Sequence, residues 1–297
     1  MSGDLDSVTA VDLSRLPAPT VVEQIPFETI VAARTAEFQA LLPDYDTFLE
    51  TDPVVIAIQA GAYRELLLRQ RFNERAVSVM LAYAAGADLD NLAAFYGVTR
   101  LEIVPADPET GATAVMEGDT ELRRRVSLAP DSFTVAGPRT AYIFHALSAD
   151  GAILDANATS IEPGQVIVSV LARDGDGTAD EDLLDAVAAV VNDDEVRPLT
   201  DQVTVQSASI VEFAIAAVLH IDFGPDPDIV LANAQARIDA WLEANRRIGR
   251  SHSLSGIYAQ LHVEGVNRVE LTSPVADVDI SAIEAPYCTD VALTVVT

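Results

Sequence analysis

The apolar residues of this chain change their spacing near residue 152, and that change divides it into two kinds of structure. Before it they recur at helical intervals. After it, runs that alternate every second residue are interleaved with further helical stretches. Phe27 to Leu42 reads as a helix, with Ile30, Arg34, Phe38 and Leu41 at helical spacing and Pro43 closing it. Asp52-Pro53 supplies an N-cap and a proline at the first helical position. The spacing of Val54, Ile58, Leu68, Phe72, Ala76, Val79 and Tyr83 then predicts one helix from Pro53 to about Ala85, with Gly86 as its C-cap. Such a helix spans about 45–50 Å at 1.5 Å per residue, well beyond the mean of about 11–12 residues. A shorter helix is expected from Asp88 to Gly97.

Residues 102–114 hold two prolines, a glycine and several acids, and read as a loop at a domain boundary. Helices are expected from Asp119 or Thr120 to Pro130, and from Gly137-Pro138 to about Ser148. Ile153 to Ala158 and Val166 to Leu171 read as strands joined at Glu162-Pro163-Gly164-Gln165, whose proline and glycine suit a type II turn. A helix follows over Ala179 to Asn192, with Thr178 and Glu181 placed as a capping box, and Val203 to Gln206 returns as a strand. Val211, Phe213, Ile215, Ala217, Leu219 and Ile221 share one face of a long strand. Ile229 to Asn245 is helical, and Arg246, Arg247 and Arg250 sit at its C-terminal end, where cations suit the helix dipole. Ser253 caps a short helix to about His262, Val266 to Leu271 is a strand, and Val275 to Val296 alternates weakly as β structure.

The fold class is therefore multidomain α+β: an all-α N-terminal region with a long helix, followed by two small α+β sheet domains. The boundaries fall at 1–26 (an extended, proline-punctuated arm), 27–101 (helical), 102–136 (linker and helix), 137–207 and 208–297. The similar element content of the last two hints at duplication, without a residue-level repeat.

All 18 basic residues are Arg, and the formal net charge is −28. The field of such a chain repels phosphate backbones and anionic lipid, so neither nucleic acid nor membrane is an expected partner. A salt-adapted host and a codon bias toward Arg explain the composition equally well. Without Lys there is no Walker A loop, no Schiff-base or pyridoxal-phosphate lysine, and no kinase strand lysine. One cysteine, Cys288, excludes internal disulfides and multi-cysteine metal sites, and reads as a small packed residue. There is no basic-then-apolar leader and no run of about 18–20 apolar residues, so a soluble chain made in the cytoplasm is expected.

Candidate chemistry is sparse, and neither a catalytic residue nor a cofactor is expected. Gly175 and Gly177 follow a strand and open a helix, as a dinucleotide loop would, but Asp180 replaces the third glycine and Asp174 and Asp176 repel pyrophosphate. Asp174, Asp176, Thr178 and Asp180 have calcium-loop spacing, yet Ala179 stands where glycine is needed and Asp185 where glutamate is. A tight turn is the favoured reading. His145, His220, His252 and His262 have no metal-ligand spacing and are expected at the surface or an interface. Arg123, Arg124 and Arg125 lie beside Glu117, Asp119 and Glu121 and read as a solvated or ion-paired patch. The long helix carries Arg64, Arg69, Arg71 and Arg75, which calls for carboxylates from this chain or from a partner. With the apolar residues beside them, Arg64, Leu68, Arg71, Phe72, Arg75 and Val79 form the candidate protein interface.

Several long segments, in order, carry a resemblance to a known family. They are AYRELLLRQRFNERAVSVMLAYAAGADLDNLAAFYGVTRL over Ala62 to Leu101; AVMEGDTELRRRV and TVAGPRTAYIFHALSADG within Ala114 to Gly151; VRPLTDQVTVQSASIVEF from Val196; and RIGRSHSLSGIYAQLHVEGVNRVELTSPVADV from Arg247. The chain resembles the baseplate J-like proteins, wedge subunits of contractile phage tails and related particles. The resemblance implies a structural, non-enzymatic role in the virion, assembled in the host cytoplasm. It implies paired copies forming a ring around the tail tube that opens on contraction, with a bundle-forming helical region and a C-terminal dimerisation or ring domain. The partners it implies are a second wedge protein of the tail protein I family and a gp25-like wedge protein with a lysozyme-like fold. The rival readings are an acidic protein-binding module and a calcium- or carboxylate-dependent hydrolase built on residues 174–185.

Overall fold

In the computed structural model the described residues are 17–296, apart from 22, 46–47, 135–136, 223 and 225. The arm expected over 1–26 lies outside them up to residue 16. Two compact units divide the chain, one within residues 11–99 and one over residues 100–297. They bear out the α+β class: a helical region precedes small mixed sheets.

The first unit contains α1 (Phe27–Leu41), α2 (Pro53–Ser78) and α3 (Gly86–Ala94). The expected cap of α2 forms: Asp52 accepts from the Val54 N–H at 2.9 Å and Pro53 sits at the first turn. The helix is shorter than expected, 26 residues or about 39 Å. The Ser78 hydroxyl donates to the Arg75 carbonyl at 3.0 Å, the acceptor that the Val79 N–H would use to extend the helix. Gly86, expected to close α2, instead opens α3 with φ +52°.

In the second unit, the loop expected over 102–114 is in part a two-stranded ribbon. β1 (Glu102–Val104) pairs with β2 (Val115–Met116), leaving both prolines in the connection. α4 (Asp119–Ser132) carries Pro130 in its last turn and packs on α5 (Arg139–Leu147). β3 (Ile153–Ser160) and β4 (Gln165–Ala172) form the expected hairpin, closed by Gln165 N–H to Glu162 C=O at 2.9 Å with Gly164 at φ +80°. α6 (Glu181–Val191) then crosses to β5 (Gln202–Ser207), which lies parallel to β4 and completes a sheet of order β3-β4-β5. The cap of α6 is Asp180, accepting from Leu183 N–H at 2.9 Å, in place of the expected Thr178. A carboxylate there also gains from the positive end of the helix dipole.

β6 (Ser209–Ile221) is the centre of the second sheet. α7 (Pro227–Asn245) and α8 (Leu254–Leu261) cover one face. β7 (Val266–Ser273) pairs antiparallel and β8 (Glu284–Val296) parallel to β6. Only residues 284–296 of the expected C-terminal β segment form a strand; Val278 makes a lone bridge to His252. The alternation read in β6 holds, with Ile215, Ala217, Leu219 and Ile221 buried against Ile238, Ile257 and Leu261. The two sheet domains have different connectivity. The first has a hairpin and one crossover helix; the second puts two helices between its first pair of strands. The duplication suggested by element content is absent at the level of topology.

Candidate protein-interaction surface

The helical unit buries little of its own apolar surface. Its buried hydrophobic residues among those described are Ile30, Ala62, Ala84, Leu89, Ala93 and Val98, half of them alanines. α1 crosses α2 at Gly61, where an added Cβ would come within 2.9 Å of Arg34 Nη1. Arg34 Nη2 and Arg69 Nη2 meet the two oxygens of Glu65 at 3.0 and 2.9 Å. Hydrogen bonds from Arg69, then Arg34, hold the Glu65 carboxyl below the usual range. Phe38, Tyr45 and Phe48 stack edge to face.

All six residues of the candidate interface lie outside this packing, and all are exposed. At 3.6 residues per turn they fall within an arc of about 100°, with Arg71, Arg64 and Arg75 along one side and Leu68, Val79 and Phe72 along the other. Leu68 is 49% exposed, and Phe72 and Val79 are each 64% exposed. Arg69 points elsewhere and is satisfied by Glu65. Arg75 reaches Asp88 only at 3.8 Å, and among the described residues Arg64 and Arg71 meet no carboxylate. The result is a helix face with a basic half and an apolar half, left exposed by the described residues of its own unit.

The other sequence candidates are used locally. Asp176 accepts from Thr178 N–H at 2.9 Å and Asp180 caps α6, so two of the four calcium-loop residues serve turn and helix. No group of three His, Cys, Asp or Glu among the described residues could hold a metal ion. Gly177, at φ +101°, is a packing position: a Cβ there would sit 2.4 Å from Leu171 Cδ1. The Cys288 thiol is half-buried, donates to Asp290 C=O at 3.3 Å, and is pushed up in pKa by burial, which disfavours a reactive thiolate. His252 departs from expectation. It is 2% exposed, packed 4.7 Å from Trp241 and 5.3 Å from Phe213 between ring centroids. No helix among the described residues is long and apolar enough to cross a membrane.

In the Arg123–Arg125 run, Arg124 and Arg125 are ion-paired. Arg125 grips Glu117 and Arg124 reaches buried Asp155 at 2.7 Å, while Arg173 makes a two-pronged contact with Glu121 at 3.0 Å. Asp155 also accepts from Ile248 N–H at 2.9 Å. The arginines after α7 extend this junction. Arg246 donates to Gly175 C=O at 2.7 Å and Arg247 to Leu154 C=O at 2.6 Å, and Asn157 Nδ2 donates to Ala282 C=O at 2.6 Å. Leu154, Leu171, Ala208, Ile248 and Ala285 form an apolar cluster spanning the two sheet domains. Sequence reasoning assigned Arg246 and Arg247 to the helix dipole. Their acceptors are backbone carbonyls 71 to 93 residues away, which no periodicity reports.

These features define a multidomain α+β protein whose sheet domains are clasped together and whose helical unit carries one exposed face that is half basic and half apolar. Comparison with known proteins gives the class a family. A Baseplate J-like N-terminal domain matches residues 50–107, spanning α2 and its uncovered face, and a Baseplate J-like central domain matches residues 134–207, ending with β5. Baseplate protein J of Escherichia phage P2 is 46% identical over 289 residues, covering 94% of this chain and 96% of that protein. The chain belongs to the baseplate J-like family.

Proposed function

We propose that this protein is a structural wedge subunit of a contractile-tail baseplate, resident in the tail of the virion and assembled in the host cytoplasm. Paired copies join a second wedge protein of the tail protein I family and a gp25-like wedge protein. The resulting ring surrounds the tail tube and rearranges on contraction. The helical region supplies the bundle, and the second sheet domain supplies contacts between copies. The observation that carries this reading is similarity to the phage P2 protein over nearly the whole of both chains. The uncovered α2 face supports it physically. Burying Leu68, Phe72 and Val79 against a partner gains about 1.5–3 kcal/mol for each side chain that becomes fully covered, and Arg64 and Arg71 are free to pair with a partner's carboxylates.

The test is co-expression with the neighbouring tail genes, followed by mass determination by light scattering. A stable complex with two copies of this chain and one smaller partner is the expected result. A lone monomer that binds none of them overturns the reading.

A further inference from the structure

Six of the described strands are sheet edges, and five of them are blunted; β1 and β2 are only three and two residues long. β3 has a register break between Ile153 and Asp155. β5 is only six residues long. β7 carries Arg268 and Glu270, breaks register against β6 twice, and is followed directly by Pro274. Charges, irregularity, shortness and proline are the devices that stop an edge from recruiting another strand. β8 has none of them in its second half. It is 13 residues long, its pairing with β6 is regular after Phe213/Ala214, and Val291 to Val296 carries no charge. Val291, Leu293 and Val295 turn toward the core under α7 and α8, while Ala292, Thr294 and Val296 are exposed. On its outer side β8 has no strand partner among the described residues.

We propose that this edge is an interface between copies of this chain: β8 pairs antiparallel with β8 of a second copy, joining two three-stranded sheets into one of six. The inference rests on the reading that copies pair, and names the surface that pairs them. Two observations select a second copy as the occupant. An open edge prescribes an extended backbone whose own edge is open, and among the described strands β8 alone offers one. With a net charge of −28 two copies repel each other, and the uncharged run Val291 to Val296 lets their backbones meet without carboxylates opposed. A two-fold axis through the run makes the contact self-complementary.

Thr294 is exposed, and in such a ladder it lies within about 5–8 Å of the outward side chains of the other β8. The full-length wild-type chain, Thr294→Asp, Thr294→Arg and an equal mixture of the two variants are compared by sedimentation over a range of concentrations. The wild type is expected to dimerise, each variant to dimerise at least tenfold more weakly, and the mixture to recover a dimer containing one of each. If both variants dimerise like the wild type, the β8 interface is overturned while pairing of copies stands. A wild type that stays monomeric overturns both. Hydrogen exchange on the wild type is independent of any folding defect in the variants: amides within 291–296 should slow on passing from dilute to concentrated protein, and unchanged rates in a dimer overturn the proposal.

Discussion

Arg125 and Glu117 form a two-pronged ion pair inside the second unit: Nε lies 2.9 Å from Oε1 and Nη2 3.0 Å from Oε2, with the side chains 5% and 4% exposed. Glu117 also accepts from Leu101 N–H at 3.2 Å, which ties the pair to the start of the β1–β2 ribbon. Arg125→Met leaves a buried carboxylate without its cation and is expected to cost about 3–5 kcal/mol. Adding Glu117→Gln should recover much of that loss, because the amide is neutral and its oxygen still accepts from Leu101. Chemical unfolding midpoints measure both. A single variant as stable as the wild type would show that the pair is dispensable.

Two glycines, three and five residues before α6's cap Asp180, separate packing from chemistry. Gly175 has φ +60° with nothing within 4 Å of an added Cβ, whereas Gly177 has φ +101° and would drive a Cβ against Leu171. Gly175→Ala should cost about 1–2 kcal/mol from the left-handed backbone alone. Gly177→Ala should cost about 1–3 kcal/mol more, from overpacking a buried leucine. Calcium should shift neither unfolding midpoint. Equal costs, or a calcium-dependent shift abolished by Asp176→Ala, would count against a purely structural turn.

His252 makes stability depend on pH. Burial, chiefly, lowers its pKa from 6.5; the nearby Arg250 charge lowers it further, and the Asn245 carbonyl, 3.3 Å from Nε2, opposes them. The unfolded chain therefore binds a proton at 6.5 that the folded chain refuses. Stability falls as pH drops from that value toward the lower folded pKa, and this group contributes no slope above it. Melting temperature should fall between about pH 7 and 5, and fall less in His252→Gln. His145, also lowered by burial, leaves a residual slope of the same sign. Identical slopes in wild type and variant would remove His252 as the cause.

On α2, the exposed apolar residues should matter to assembly and hardly to folding. Leu68→Asp and Phe72→Asp are expected to change unfolding free energy by no more than about 0.5 kcal/mol, as surface substitutions do. Each should weaken capture of the partner wedge protein at least tenfold. Co-purification with the co-expressed partner, alongside a melting curve, reads both effects. Wild-type capture by both variants would move the interface to another face.

The distribution of legible and illegible features follows the range of the interactions. Asp52-Pro53 before α2, Ser253 before α8 and the Glu162–Gln165 turn were readable because each depends on residues within four positions. The buried face of β6 was readable because a period of two survives any packing partner. The end of α2 was missed because the Ser78 hydroxyl, a local competitor for one carbonyl, leaves the apolar spacing of the following turns unchanged. The β1–β2 ribbon was missed because its two short strands specify each other only across a loop.

On α2 and its C-cap residue Val79 the spacing of the chain already placed three arginines and three apolar residues together, since helical periodicity alone decides which side chains share a face. That the described residues of its own unit leave this face exposed, while Arg69 is taken up by Glu65, emerged only when α1 chose where to cross. The same holds for His252, Arg246 and Arg247. Their types were visible, but a buried ring between Trp241 and Phe213 and guanidiniums on distant carbonyls are contacts across 11 to 93 residues, selected by the packing of whole elements. Local chemistry determined where helices, strands and turns begin. The tertiary structure decided which polar groups are satisfied within the chain and which surfaces remain for others, because burial belongs to the packed assembly of elements and not to any one of them.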